Sequence, residues 1–137
     1  MNHAICYIST ASSDFPYPEV DKLLAKWQAY NSSQNIKGIL LFSGGNFFQV
    51  LEGEKERVIS LFHKIQKDSR HSGIIQVLGK DINKGSFDGY VVEHLQTSGY
   101  SKPELIEQYC ETVKGMDPKT QQQIKIILES FIDTRVL

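Results

Sequence analysis

Short apolar runs with period-two alternation and longer apolar runs with helical spacing succeed each other along the chain. The short runs predict five β-strands, at residues 3–9, 37–43, 46–53, 74–82 and 87–95. The longer runs predict helices at residues 19–31 and 54–68 and two further helices beyond residue 100. This order is typical of an α+β fold, a ferredoxin-like βαββαββ sheet with two helices on one face, followed here by two C-terminal helices.

The first predicted helix has an apolar stripe that ends on a polar residue. The stripe runs through Val20, Leu24 and Trp27 at helical spacing. One turn later the same stripe reaches Asn31, so an amide is predicted to point along the buried side of the helix. The stripes of the second helix and of the last tail helix contain only apolar residues, Val58, Leu61, Phe62, Ile65, Ile124, Ile127, Leu128 and Phe131.

The composition is ordinary for one globular domain and excludes several classes of function. The chain has 137 residues, of which 40% are hydrophobic and 23% charged, with a net charge of −1. Without a basic stripe, nucleic-acid and membrane-surface binding lack electrostatic support, and no run approaches the roughly 18 apolar residues of a membrane span. We expect a cytoplasmic protein with reduced cysteines, Cys6 and Cys110, and no metal site.

Three polar residues fall where the pattern calls for apolar ones. Alternation places Gln49 on the strand face of Phe47 and Leu51, and Tyr7 occupies a similar place in the first strand. If these faces look toward the helices, Tyr7, Gln49 and Asn31 converge, which predicts contact with the polar edge of a planar ligand. The alternatives are a solvent-facing glutamine, a tyrosine with its hydroxyl at the rim and an asparagine that caps the helix.

Four stretches of sequence carry a more specific signal. They are CYIS from residue 6, the segment from Asn31 through IKGILLF, the run FFQVLEG, and HKIQKDSRH at residues 63–71. Together they resemble the BLUF domain, the family of blue-light sensors that use FAD, over roughly residues 3–95. The resemblance implies a non-covalently bound FAD in a domain at residues 1–97 and a C-terminal helical extension at residues 98–137.

The same resemblance assigns roles to the three inward polar residues. Tyr7 is the redox-active tyrosine, which gives an electron and a proton to the excited flavin. Gln49 lies between the Tyr7 hydroxyl and the N5/O4 edge of the flavin, and Asn31 holds the O4/N3 edge. Gln49 then rearranges, which strengthens the hydrogen bond to the flavin O4 and shifts the absorption to the red.

Four residues near the end of the second helix also match family positions. Lys64, Asp68, Arg70 and His71 correspond to residues near the ribityl chain and the phosphates. Lys64 stands where arginine is common, so the positive charge is kept while bidentate geometry is lost. The alternative interpretation of DSRH is a charged helix end.

The last predicted strand departs from the family pattern. In place of the usual W-x-M pattern, the relay positions hold Tyr90 and Val92. The arginine that usually precedes this strand is absent, since Gly85 and Ser86 stand there. Tyr90 is therefore either a second redox-active residue near the flavin or a packing residue, and Trp27 is assigned to the core.

The sequence predicts a signalling protein rather than an enzyme. It contains no P-loop, no GxSxG elbow and, in the loop after the first strand, no arginine of the acylphosphatase type. Since no catalytic domain follows, the expected output is an unidentified downstream protein or a change of homo-oligomer. The tail helices either cover the outer face of the sheet or form a light-sensitive dimer or partner surface. The alternative is a light-insensitive ferredoxin-like protein-interaction module, which flavin content distinguishes.

Overall fold

A mixed β-sheet flanked by α-helices makes up the part of the chain that the computed structural model describes, residues 2–82, 89–94 and 118–135. The strands are β1 (Asn2–Ala11), β2 (Lys37–Ser43), β3 (Asn46–Glu54), β4 (His71–Ile82) and β5 (Tyr90–His94). The α-helices are α1 (Val20–Ser33), α2 (Lys55–Gln66) and α3 (Pro118–Arg135). Within these ranges, no helix has both the length and the apolar composition that crossing a membrane requires.

The strands lie in the order β4-β1-β3-β2-β5 across the sheet. Neighbouring strands are antiparallel, except that β5 runs parallel to β2 at one edge. The first four strands with α1 and α2 have the ferredoxin-like connectivity, and β5 is the added strand, so the predicted fold class is confirmed. Although β4 and β5 are consecutive strands, they lie at opposite edges of the sheet.

The inner face of the sheet is covered by α1 and α2, as predicted. Val20 and Leu24 of α1 and Val58 and Phe62 of α2 are buried in one cluster with the sheet. The strand residues of that cluster are Ile5, Tyr7, Leu40, Phe42, Phe47, Leu51 and Tyr90. Full burial of each large aliphatic or aromatic side chain contributes roughly 1.5–3 kcal/mol, so this cluster fixes both helices on the sheet.

The outer face of the sheet is covered by α3. The buried cluster on this face joins the helix to the four strands β1, β2, β3 and β4. Its members are Ala4, Cys6, Ile39, Leu41, Phe48, Val50, Leu78, Ile124, Leu128 and Phe131. The rings of Phe48 and Phe131 lie 5.7 Å apart, and Lys80 Nζ donates to Thr120 Oγ1 at 2.8 Å. Pro118 is the first residue of the helix, as predicted. The predicted first tail helix lies outside the described residues, and the domain boundary after residue 97 stays a prediction.

Glycines permit two tight features of the sheet. Gly44 and Gly45, with φ of 56° and 83°, form the turn of the β2–β3 hairpin, where left-handed conformations match the twist of the strands. At Gly38, whose φ is 142°, a Cβ would lie 1.8 Å from the carbonyl oxygen of Val50. Only glycine therefore fits at position 38, next to the backbone of β3.

Two alternatives left open by the sequence are overturned. Helix α1 continues to Ser33 and is capped by Gln34, so Asn31 is not the helix cap; its side chain is buried within the last turns. Helix α2 ends at Gln66 and β4 begins at His71. The DSRH stretch is therefore a connection and the start of a strand rather than a charged helix end.

Candidate functional site

A cavity of about 200 Å³ lies between α1, α2 and the inner face of the sheet. Its buried end is polar and consists of Tyr7, Asn31, Gln49 and Tyr90. Its walls are aromatic and aliphatic, formed by Trp27, Leu40, Phe47, Leu61 and Ile65. Its more exposed side, called the mouth here, is lined by Tyr30, Lys64, Asp68, Arg70 and His71. The structure thus brings together all the residues predicted to bind the cofactor.

The buried end of the cavity is organised around the contact between Tyr7 and Gln49. The two residues are direct partners across the antiparallel pair β1–β3, which places their side chains side by side on the inner face. Gln49 Nε2 donates a hydrogen bond to the Tyr7 hydroxyl oxygen at 2.5 Å, and each residue is only 3% exposed. Burial raises the pKa of Tyr7 well above its ordinary value, although the bond from Gln49 lowers it in part. Tyr7 is therefore a neutral phenol that keeps its proton at physiological pH.

Tyr90 and Asn31 complete the polar end. The Tyr90 hydroxyl donates to Oε1 of Gln49, so the glutamine amide is bonded to a tyrosine on both sides. Burial raises the pKa of Tyr90 well above its ordinary value, the nearby Tyr7 raises it further, and the Asn31 side chain opposes both effects. The sequence left Tyr90 as either a packing residue or a residue near the ligand. Here its ring packs in the inner cluster and its hydroxyl reaches the candidate site.

An ion pair at the mouth holds Arg70 in a defined position. Its Nε donates to the two carboxylate oxygens of Asp68 at 2.9 and 3.1 Å, and Nη2 donates to Oδ2 at 2.6 Å. This bonding holds the pKa of the Asp68 carboxyl below its usual range, although partial burial opposes the effect. The Arg70 guanidinium also lies 5.0 Å from the centre of the Trp27 ring, within the range of a cation–π interaction. The cation is therefore positioned before any ligand arrives.

His71 lines the cavity, but its ring nitrogens are bonded within the protein. Nε2 lies 2.6 Å from the carbonyl oxygen of Ile65, to which it can only donate. In the neutral ring Nδ1 then accepts from the Ser9 hydroxyl at 2.8 Å. The imidazole is 6.4 Å from the Tyr7 ring and 6.1 Å from the Phe47 ring. His71 thus forms part of the wall and ties β4 to β1 and α2.

Lys64 and Val92 lie at the periphery of the candidate site. Lys64 is exposed on α2 and lines both the cavity and a polar groove next to it. Val92 pairs with Leu40, which in turn pairs with Gln49, so Val92 is two strands away from the amide. Val92 is partly buried against the inner cluster. Of the two predicted relay residues, Tyr90 is the one bonded to Gln49.

Trp27, predicted only as a core residue, also lines the cavity. Its indole packs against the inner cluster, lines the cavity and contacts the guanidinium of Arg70. The signal that could have identified it is its position one turn before Asn31 on the same helix face. The other residues that sequence reasoning missed are the walls Leu40, Phe47, Leu61 and Ile65 and the mouth residue Tyr30.

The sheet and the cavity define a ferredoxin-like domain with a binding site between two helices and a tyrosine–glutamine pair at its base. The family model "Sensors of blue-light using FAD" (BLUF) matches residues 3–93, which is more than half of the chain. The chain belongs to the BLUF family, and the family's function, blue-light sensing with FAD as the cofactor, applies to it.

Two relatives with regulatory roles are similar over the BLUF region. The blue light- and temperature-regulated antirepressor BluF of Escherichia coli (strain K12) is 34% identical over 74 residues, which cover 54% of this chain and 18% of that protein. The photoactivated adenylate cyclase subunit alpha of Euglena gracilis is 36% identical over 80 residues, 58% of this chain and 8% of that protein. The chain thus spans only a small part of the length of these relatives.

Solved structures show the same fold. BlrP1 of Klebsiella pneumoniae, in a calcium and cy-diGMP complex, superposes with a TM-score of 0.79 at 30% identity, covering 97% of this chain and 34% of that one. BlsA in its photo-activated state gives a TM-score of 0.67 at 28% identity, covering 96% of this chain and 95% of that one. The likeness to BlsA therefore extends over nearly the full length of both chains.

The cavity residues fit FAD chemically. A flavin ring is flat and apolar on its faces, with donors and acceptors along one edge, and the cavity has apolar walls and amide and hydroxyl groups at its buried end. Two cations, Lys64 and Arg70, stand on the more exposed side, where a phosphate chain can remain partly solvated. Arginine and lysine are the side chains that most often bind phosphate.

Proposed function

We propose that this chain is a blue-light photoreceptor in which Tyr7 and Gln49 form the photoactive pair. The observation that carries the proposal is the hydrogen bond from Gln49 to Tyr7 at the buried end of a cavity suited to a flat ring. Bound FAD would supply the absorption of blue light and, once excited, the oxidising power. The protein would supply the electron donor, Tyr7, and the side chain whose orientation changes after light absorption, Gln49.

In this proposal Tyr7 donates one electron and one proton and afterwards takes both back. Its buried phenol keeps the proton until oxidation, and the low exposure of the pair excludes water. Gln49 ends with its Oε1 and Nε2 exchanged. Because one side of an amide only donates and the other only accepts, the exchange changes which polar groups face the cavity. The net result is a change of orientation without net oxidation, which is a two-state element.

The remaining predicted residues would hold the cofactor. Asn31 is proposed to hold the polar edge of the ring, and Lys64 and Arg70 the phosphates. Asp68 would act on the cofactor indirectly, since it fixes the guanidinium of Arg70 with three side-chain contacts. His71 would shape the wall rather than donate to the cofactor, because both of its nitrogens have protein partners.

We propose that the signal leaves through β5, with Tyr90 and Val92 as the relay, and that this chain itself catalyses no reaction. Gln28 Nε2 on α1 donates to the Tyr90 carbonyl oxygen at 3.1 Å, and His94 Nδ1 lies 3.0 Å from Asp21 Oδ1. A shift of β5 would thus be transmitted to α1 through these two contacts. The receiver is proposed to be a separate protein or a second copy of the chain.

The visible absorption spectrum of the purified protein, before and after blue light and then in the dark, tests this function. Flavin bands that shift to the red and recover in the dark are the expected result. Flavin bands without a reversible shift would refute the photoactive pair. Absence of flavin after reconstitution with FAD would favour the alternative, a light-insensitive protein-interaction module.

A further inference from the structure

The amide of Gln49 lies between two phenols from different strands. On one side its Nε2 donates to Tyr7, and on the other its Oε1 accepts from the Tyr90 hydroxyl. The side chain of Asn31 lines the same polar end of the cavity and lowers the pKa of the Tyr90 phenol. Three side chains therefore form one directional series of hydrogen bonds, from Tyr90 through Gln49 to Tyr7.

Tyr90 is held so that its hydroxyl must meet Gln49. Its backbone is paired with Gly38 in the parallel ladder and is bonded by Gln28 of α1 through its carbonyl oxygen. Between β5 and β3 lies β2, whose inward side chain next to Gln49 is Leu40. A tyrosine at position 90 is long enough to reach past this strand, and its hydroxyl is buried at the amide.

A phenol differs from other large side chains in one respect that matters at this position. A hydroxyl can donate or accept a hydrogen bond, whereas an indole N–H only donates and a phenyl ring does neither. If the amide of Gln49 exchanges its oxygen and nitrogen, Nε2 faces Tyr90 and Oε1 faces Tyr7. Both hydroxyls can then rotate, so that Tyr90 accepts from Nε2 and Tyr7 donates to Oε1, and both polar atoms of the amide keep a partner.

We propose that Tyr90 is a positioning residue of the switch, and that its hydroxyl stabilises both orientations of the Gln49 amide by reversing its role from donor to acceptor. Resting and switched states would then each keep the Gln49 amide hydrogen-bonded to both tyrosines. The inference rests on the proposed function, because it needs the amide to exchange in light. It adds that the lifetime of the switched state depends on position 90.

The test compares the FAD-bound wild type with Tyr90→Phe, which keeps the ring and removes the hydroxyl. Glutamine labelled with ¹³C at the side-chain carbonyl makes the amide band visible in infrared difference spectra. In the resting state the variant should move one glutamine carbonyl band to higher frequency, since an accepted hydrogen bond is lost. After light, its red-shifted state should decay about 2- to 10-fold faster, the range expected for one net hydrogen bond.

Tyr17→Phe is the matched control, because Tyr17 is 49% exposed and is not among the residues that line the cavity. It should change neither the carbonyl band nor the decay rate. If the wild type shows no reversible red shift, the proposed function and this inference both fail. If the wild type shifts but Tyr90→Phe keeps its carbonyl band, or moves the band without changing the decay, the inference alone is overturned.

Discussion

Strands β1 and β3 present two chemically different faces. On the inner face, Tyr7 and Gln49 are bonded to each other at the base of the cavity. On the outer face their immediate neighbours, Cys6 and Phe48, are buried in an apolar cluster beneath α3. Successive strand residues point to opposite faces, so one residue of sequence separates the candidate site from the packing that supports it.

The buried polar groups on the inner face of the sheet are hydrogen-bonded to one another. A buried amide or hydroxyl without a partner costs roughly 1–3 kcal/mol on protein mutational scales. On the inner face Gln49 and Tyr90 bond one another, and Tyr7 accepts from Gln49. The close-packed outer face holds the strands in register. In the proposed switch, the inner groups exchange partners on this fixed support.

Neighbouring substitutions in β1 should separate the two faces most clearly. Tyr7→Phe is expected to abolish the light-induced red shift completely, because it removes the electron and proton donor while keeping the ring. Cys6→Ala should keep the shift and lower only the stability, since Cys6 is fully buried on the opposite face. Absorption spectra before and after blue light measure both. A full red shift in Tyr7→Phe would contradict the proposed pair.

The outer face should be decisive for stability. Phe48→Ala is expected to lower the free energy of unfolding by about 3–5 kcal/mol, because Phe48 is 2% exposed and contacts the Phe131 ring. Phe131→Ala should also destabilise, and the double variant should lose less than the sum of the two, as contacting residues do. Urea unfolding measures all three variants. Strict additivity would argue that α3 does not pack on Phe48 in solution.

Removal of the two cations at the mouth of the cavity should weaken only the binding of the cofactor's phosphates. Arg70→Gln combined with Lys64→Gln is expected to weaken FAD binding about tenfold or more, since each charge-assisted hydrogen bond contributes about 1.5–3 kcal/mol. Riboflavin, which has no phosphate, should bind as before. Titrations followed by flavin fluorescence give both affinities. Lys67→Gln removes an exposed cation outside the cavity and serves as the control, and equal losses for both ligands would refute the assignment.

The smallest expected effect concerns the ion pair at the mouth. The pKa of Asp68 in the folded protein is lowered, chiefly by its hydrogen bonds to Arg70. Its stabilisation is therefore present above the ordinary pKa of about 3.9 and is lost as pH falls through the lower folded value. Asp68→Asn should lower the free energy of unfolding by less than about 1 kcal/mol at neutral pH, because the pair is partly exposed.

Urea unfolding from pH 7 to pH 3 measures that difference. The gap between wild type and Asp68→Asn should narrow in the acid range as the wild-type carboxylate takes up a proton. A gap that stays constant down to pH 3 would show that the charge of Asp68 contributes nothing to folding.

Local pattern was sufficient to predict much of the inner face. Alternation in β3 placed Gln49 with Phe47 and Leu51, and the stripe of α1 placed Asn31 on the buried side. These predictions hold because strand and helix periodicities are properties of the backbone, independent of what packs against them. The elements themselves were predicted for the same reason, with boundaries differing by a few residues, as at the start of β4.

The contacts between distant segments of the chain could not be predicted from local hydrophobic periodicity. The sequence does not state that β5 pairs with β2 in parallel at the edge opposite β4, and this pairing is what carries Tyr90 to Gln49. It does not state that Arg70 lies over Trp27, because the contact joins residues far apart in the chain. The pairing of Asp68 with Arg70 is local by contrast, and it depends on the conformation of the turn between α2 and β4.

The sequence by itself determined the strands and helices, the face on which each polar residue lies and, through its motifs, the family. The tertiary structure alone decided which of these faces meet, and so that the Gln49 amide lies between Tyr7 and Tyr90. The physical reason is that periodicity is set by local backbone geometry, whereas the meeting of distant segments is set by the packing of the whole core.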